Sequence, residues 1–276
     1  MSEHTVAFSH GMRVVHDGPR QAPPLLLIHG SGASGSCWGP VVPALAQHHH
    51  VIRVDLPGCG QSPPAMSYDV PVQACRIAAL LDSLGYHSVA VVGHSSGGYV
   101  ATALAEQRRD LVRALALLSS GPSPEAQLPE PLLLRVLLAP PLGPILWARR
   151  SDAMIRKGIL ATCARPVEIP DDLVADVRNI RYSVLRKILS RNTAYITERS
   201  VPERLVPREI PVLVAFGAAD PRWEPSSAYR YDVVPNAWVE LLPGVGHMPM
   251  LEDPEETGDL LLNFAATEVD TAPAAP

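Results

Sequence analysis

The stretch Val89-Ala90-Val91-Val92-Gly93-His94-Ser95-Ser96-Gly97-Gly98-Tyr99-Val100-Ala101 decides the fold. It passes from an apolar, β-branched run through Gly-x-Ser-x-Gly into a segment that reads as the start of a helix. That order sets Ser95 on an abrupt strand-to-helix corner, a nucleophile elbow, with its hydroxyl at the tip. Gly93 and Gly97 flank the corner, where the chain needs backbone freedom and room for close approach. The same five-residue pattern also arises in ordinary loops, so the partners of Ser95 have to be sought in the rest of the chain.

Working outward, Thr5–Phe8 and Met12–Val15 read as an edge hairpin around Ser9-His10-Gly11. Leu25-Leu26-Leu27-Ile28 is a continuous apolar run, as expected of a strand buried on both faces of a parallel sheet. It leads into the glycine-rich loop His29-Gly30-Ser31-Gly32-Ala33-Ser34-Gly35. A helix is predicted over 40–48, a strand over 51–54, and a helix over 71–84 with Val72, Cys75, Ala79, Leu80 and Leu84 on one face. The elbow's strand covers 88–92, its helix 99–107, and a further strand 115–118. This alternation predicts a doubly wound α/β domain with a mainly parallel sheet.

After Ser119 the rhythm stops. Helical stretches separated by prolines are predicted over 132–138, 145–160, 171–189 and 193–198, a block that reads as an inserted helical cap. The α/β rhythm returns with strands over 212–216 and 239–242 and a closing helix over 254–266. The expected organisation is a core of 1–120 with 208–267, a cap of 121–207, and a disordered Ala/Pro tail over 268–276.

A chain of 276 residues with 47% hydrophobic content can bury one sizeable core with one insertion. Net charge is −5 and the pI near 6.0, which speaks against a nucleic-acid or anionic-membrane surface. The start Met1-Ser2-Glu3-His4-Thr5 does not read as a signal peptide and no run of eighteen apolar residues occurs, so a cytoplasmic protein without membrane insertion is expected. Cys37, Cys59, Cys75 and Cys163 lack C-x-x-C spacing and read as small, mostly buried hydrophobes rather than disulfide partners. His48-His49-His50 reads as a solvated loop and not a metal site, because adjacent side chains diverge.

A serine hydroxyl needs a general base within hydrogen-bond reach, and the base needs a carboxylate to fix its tautomer. In an open parallel sheet such groups collect after the strands. Asp220 follows the strand over 212–216, and His247 follows the strand over 239–242 in a glycine-flanked loop. The order Ser95, Asp220, His247 is that of one hydrolase architecture. For the developing oxyanion, the backbone N–H of Ser96 and that of Ser31 in the His29-Gly30-Ser31-Gly32 loop are the candidate donors. That loop has neither the Lys-Ser/Thr of a P-loop nor a complete Gly-x-Gly-x-x-Gly, which speaks against nucleotide binding.

With His29-Gly30-Ser31-Gly32, Asp55-Leu56-Pro57-Gly58-Cys59-Gly60-Gln61-Ser62, Gly93-His94-Ser95-Ser96-Gly97-Gly98, Gly217-Ala218-Ala219-Asp220 and Gly244-Val245-Gly246-His247 in place, the chain resembles the α/β-hydrolase superfamily over about residues 5–266. The resemblance implies an eight-stranded sheet, a cap after the sixth strand, no metal and no organic cofactor. It also implies a structural role for Asp55, and the serine separates the chain from branches that use Asp at the elbow. His29 is expected to order its loop, and His94 to point away from the nucleophile into the sheet interior.

His29, Gly30, Trp147, Trp223 and Met248 are candidate pocket residues, and Trp38 could shape the pocket too. Arg149, Arg150, Arg178 and Arg181 are expected to be solvated. The expected partner is a small-molecule substrate, with homodimerisation left open. The expected reaction is hydrolysis of a carboxylic ester or lactone. Its alternatives are C–C bond hydrolysis of the meta-cleavage type and perhydrolase, haloperoxidase-like or lyase chemistry on the same three residues. A non-catalytic ligand-binding role is the remaining reading.

Overall fold

The computed structural model describes residues 4–130, 136 and 139–267. Its strands are β1 (His4–Ser9), β2 (Met12–Asp17), β3 (Pro24–Ile28), β4 (His50–Asp55), β5 (Val89–His94), β6 (Val112–Leu118), β7 (Val212–Gly217) and β8 (Ala237–Leu242). They form one sheet in the order β1-β2-β4-β3-β5-β6-β7-β8. The first two strands pair antiparallel, β2 pairs antiparallel with β4, and every pairing from β4 to β8 is parallel.

The continuous apolar runs follow from cores on both faces of the sheet. Leu26, Ile28, Val91, Leu115, Leu117, Val214 and Phe216 enter one core. Their neighbours Leu25, Leu27, Ala90, Val92, Ala116, Leu213 and Ala215 enter the other. Helices α2 (Val70–Ser83) and α3 (Gly97–Gln107) cover the first face. The short α1 (Val42–Leu45) and the C-terminal helix of 254–267 contribute to the second core.

The chain crosses from β3 to β4 on one side and from β5 to β6 on the other, so the loops leaving β3 and β5 diverge. A crevice opens at such a switch point, and ligands of open α/β sheets bind there. The His29–Gly35 loop and the Ser95 corner are the two loops that flank it.

Several local expectations change. The helix expected over 40–48 shrinks to α1, preceded by a 3-10 turn over Gly35–Trp38, because Pro40 and Pro43 have no N–H to give and β4 begins at His50. Helix α2 buries Val70, Gln73, Ala74, Ile77, Leu80 and Leu81, while Val72 and Cys75 face water. The stripe rotated because both alignments have helical spacing, and packing against α3 selected one. All four cysteines are free, with Cys37 and Cys59 buried. His49 and His50 are buried rather than solvated: His50 opens β4, bonds the Tyr86 hydroxyl and lies 3.1 Å from His16 through ring nitrogens.

Between β6 and β7 lie α4 (Leu142–Ala148), α5 (Asp152–Leu160), α6 (Asp171–Asn179), α7 (Tyr182–Glu198) and α8 (Val201–Leu205). The stretch expected as one helix over 145–160 is split at Arg149–Ser151, where the Ser151 side chain caps the second helix by accepting from the Met154 N–H. The break expected near 190 falls instead at Ile180 and Arg181, and α7 runs unbroken through 193–198. The expected helix over 132–138 and the tail over 268–276 lie outside the described residues, Val136 excepted. The buried Asp176 carboxylate ties α6 to the core by accepting from Ser34 Oγ at 2.7 Å and Ser36 Oγ at 2.6 Å. Arg150 is a clamp and not a solvated charge: it stacks 3.8 Å over the Trp147 ring and donates to the carbonyls of Trp147, Val177, Arg178 and Ile180.

Candidate active site

Ser95 follows β5 directly and takes φ +50°, a left-handed conformation that residues other than glycine rarely adopt. Its N–H donates to the Leu118 carbonyl at the end of β6 (2.8 Å). The flanking glycines serve close approach and not unusual φ. A Cβ on Gly97 would fall 2.3 Å from the Ile28 carbonyl oxygen, and one on Gly93 2.5 Å from the Gly98 Cα. In a corner that is otherwise buried, Ser95 is half-buried.

His247 Nε2 lies 3.1 Å from Ser95 Oγ, and His247 Nδ1 lies 2.8 Å from Asp220 Oδ2. A carboxylate can only accept, so Nδ1 carries the proton and Nε2 is left to accept from the serine hydroxyl. The other Asp220 oxygen accepts from the N–H groups of Arg222 (2.8 Å) and Trp223 (3.3 Å), which fixes the carboxylate's orientation. Asp220 and His247 are both buried. The structure thus brings together three residues far apart in the chain, and the arrangement can draw a proton off Ser95 as its oxygen attacks.

Glu252 holds the His247 loop, and sequence reasoning missed it. Its buried carboxylate accepts from the N–H groups of Gly246 (2.8 Å), Met248 (3.0 Å), Ala164 (2.7 Å) and Arg165 (3.1 Å). Two of those donors flank His247 and two belong to the helical insertion. The His247 N–H in turn donates to the Thr162 carbonyl (2.9 Å), so the insertion helps to position His247. No periodicity marks such a residue, because its partners are backbone groups of a distant segment.

His94 is buried under the corner, with Nε2 2.7 Å from the His247 carbonyl oxygen and its ring 5.0 Å from the His247 ring. Burial, reinforced by the neighbouring His247, pushes its pKa down to about 3. It remains neutral and donates from Nε2, supporting the His247 backbone from below. His29 orders its loop: Nδ1 donates to the Gly30 carbonyl (2.8 Å) and Nε2 accepts from the Leu56 N–H (2.9 Å). Burial lowers the His29 pKa too. Asp55 accepts from the N–H groups of Gly35 (2.7 Å) and Gln61 (3.0 Å), a loop-fixing arrangement remote from His247 in the hydrogen-bond network.

The candidate oxyanion donors are arranged differently from the expectation. Ser31 N–H is already engaged, donating to Ser96 Oγ at 2.8 Å. Ser31 Oγ and Ser96 Oγ are 2.8 Å apart, and Asn192 Nδ2 of α7 donates to Ser31 Oγ at 2.8 Å. A small cavity of about 10 Å³, room for about one water, adjoins this cluster. His29, Gly30, Ser31, Ser96 and Asn192 line it.

Trp147, Trp223 and Met248 do not line that cavity. Trp147 packs beside Tyr68, Ile180 and Val184, and Trp223 covers Gly121 in the first core. Met248 joins the second core, where Trp38 is wholly buried. Among the described residues, no group of three or more His, Cys, Asp or Glu could hold a metal ion. Nor is any described helix long and apolar enough to cross a membrane.

A model of the alpha/beta hydrolase family matches residues 25–260. The chain belongs to that family. A pimeloyl-[acyl-carrier protein] methyl ester esterase of Aeromonas hydrophila is 28% identical, covering 88% of this chain and 96% of its own. A 2-hydroxy-6-oxo-6-(2'-aminophenyl)hexa-2,4-dienoic acid hydrolase of Metapseudomonas resinovorans is 26% identical, over 91% of this chain and 87% of its own. Among solved structures, an N-acyl homoserine lactonase superposes with a TM-score of 0.81 at 19% identity, covering 100% of both chains, a likeness of fold. As an alpha/beta hydrolase, the chain carries its serine, histidine and aspartate at the carboxyl ends of β5, β8 and β7.

Proposed function

We propose that this alpha/beta hydrolase cleaves a carboxylic ester or lactone of a small to medium apolar substrate through an acyl-enzyme. The observation that carries the reading is the unbroken chain from Ser95 Oγ to His247 Nε2 and from His247 Nδ1 to Asp220, with Ser95 on a strained corner. Ser95 Oγ attacks the carbonyl carbon while His247 accepts its proton. The same proton passes to the leaving alkoxide as the tetrahedral intermediate collapses to the acyl-enzyme. Water then attacks the acyl carbon, giving a proton to His247, and Ser95 leaves with that proton as the acid is released. Asp220 stays a carboxylate and stabilises the transient imidazolium. Residues 121–207 act as the cap that shapes the acyl site, held by the contacts of Asp176, Thr162 and Asn192 with the core.

The ester esterase among the relatives supports this reading. The dienoic acid hydrolase among them favours a second one, C–C bond cleavage with the same three residues. The experiment that separates them compares p-nitrophenyl butyrate and an alkyl lactone with a vinylogous 1,5-diketone. Turnover of the ester or lactone, abolished in Ser95→Ala, is the expected result. Turnover of the diketone alone would replace the ester reading with the second.

A further inference from the structure

The cluster of Asn192, Ser31 and Ser96 admits two arrangements of its hydroxyl protons, because either of Ser31 Oγ and Ser96 Oγ can donate to the other. Asn192 Nδ2–H donates to Ser31 Oγ. In one of the two arrangements the Ser31 hydroxyl, accepting from Asn192, passes its own proton to Ser96 Oγ, 2.8 Å away. Ser96 Oγ also accepts from the Ser31 N–H at 2.8 Å. A hydroxyl oxygen has two lone pairs and one proton, so in that arrangement Ser96 accepts twice and keeps its O–H unspent. Two incoming hydrogen bonds also polarise that O–H and strengthen it as a donor.

The placement of this proton matters because the Ser31 N–H, one of the two backbone donors expected for the oxyanion, is already occupied. Ser96 Oγ takes the place in front of that N–H that any other acceptor would need. We propose that the Ser96 hydroxyl is itself an oxyanion donor, acting in place of the Ser31 N–H and beside the Ser96 N–H. Asn192, in the helical insertion, and the Ser31 hydroxyl are positioning residues that aim it. The proposal rests on the serine-hydrolase reading and adds to it the group that stabilises the intermediate. It also makes a residue of the insertion part of the chemistry, because losing the Asn192 donor lets the Ser31 and Ser96 hydroxyls turn round.

The test measures kcat and KM for p-nitrophenyl butyrate in the full chain and its variants, with fluorophosphonate labelling of Ser95 and thermal melting run alongside. Ser96→Ala is expected to lower kcat on the order of a hundredfold, the effect of one lost oxyanion donor, with KM within about twofold. Asn192→Asp, which keeps the shape but can only accept, reverses the chain and is expected to lower kcat more than Asn192→Ala. A buried aspartate also brings its charge, so the deciding readout is its coupling to Ser96. Combined with Ser96→Ala, Asn192→Asp should cost little more than Ser96→Ala alone.

A Ser96→Ala enzyme that keeps kcat within about twofold overturns the proposal, as does Asn192→Ala falling below Asn192→Asp. If Ser96→Ala does not fold, the Asn192 pair decides by the same order. Wild-type protein that neither turns over the ester nor labels at Ser95 defeats the serine-hydrolase reading and this proposal with it. Wild-type activity with unaffected variants defeats only this proposal.

Discussion

Ser95 occupies a left-handed backbone conformation that costs about 1–3 kcal/mol outside glycine, and the surrounding contacts hold it there. Its N–H bond to Leu118 and the glycine approaches on either side leave the hydroxyl facing His247. Ser95→Ala should therefore leave the melting temperature near wild type or above it while lowering kcat by about four orders of magnitude or more, read by steady-state kinetics. Asp220→Asn should lower kcat by about 10⁴-fold, because an amide can present an N–H to His247 and favour the wrong tautomer. A small effect would mean that the base does not depend on Asp220. The meeting of these three positions was legible because each follows a strand of the sheet, where side chains of successive loops converge. Asn192 was harder to read, yet its signal was present: it recurs with Val184 and Ile188 at helical spacing on the buried face of α7, as a polar residue where an apolar one is expected. Glu252 gave no such signal, since its partners are backbone N–H groups.

At the scale of elements, the sheet and its flanking helices were legible and the insertion only in outline. Strands such as β3 and β5 carry unbroken apolar runs, Leu25–Ile28 and Val89–Val92, because cores lie on both sides of the sheet. In the insertion, helix breaks depend on single residues, such as the Ser151 cap, and docking depends on buried polar contacts such as Asp176 with Ser34 and Ser36. The most consequential joint is Glu252, whose one carboxylate gathers N–H groups from the His247 loop and from the insertion. Glu252→Gln puts an NH₂ group against those donors. It should destabilise the fold by roughly 1–3 kcal/mol, through buried N–H groups left without an acceptor, and should lower kcat as the His247 loop loosens. Melting temperature and kcat, measured together, check this. An unchanged melting temperature would show that the loop is held by other contacts.

Across the whole molecule, five histidines are kept neutral by burial. His16 and His50 are pushed down to about 4 and His94 to about 3, and His29 and His49 are lowered as well. The unfolded chain takes up these protons below the ordinary value of 6.5, while the folded chain resists them. Stability is therefore whole above that value and is lost as pH falls, through about 4 for His16 and His50 and about 3 for His94. The urea midpoint should drop between pH 7 and pH 5. His94→Asn, whose amide can still donate to the His247 carbonyl, should remove about one proton from the slope, about 1.4 kcal/mol per pH unit. A midpoint constant over that range would show that these side chains are protonated in the native state. The histidine at the head of β4 shows why composition misled here: three adjacent histidines suggest a wet loop, but the strand register buries His50 against Tyr86.

The central claim is that Ser95 is a nucleophile made reactive by His247. Mass-spectrometric mapping of a fluorophosphonate adduct, timed in wild type and in His247→Ala, tests it most directly. The account predicts a single adduct on the peptide carrying Ser95, formed at least a hundredfold more slowly in His247→Ala. An adduct on another residue, or equal labelling rates in the two folded proteins, would contradict it.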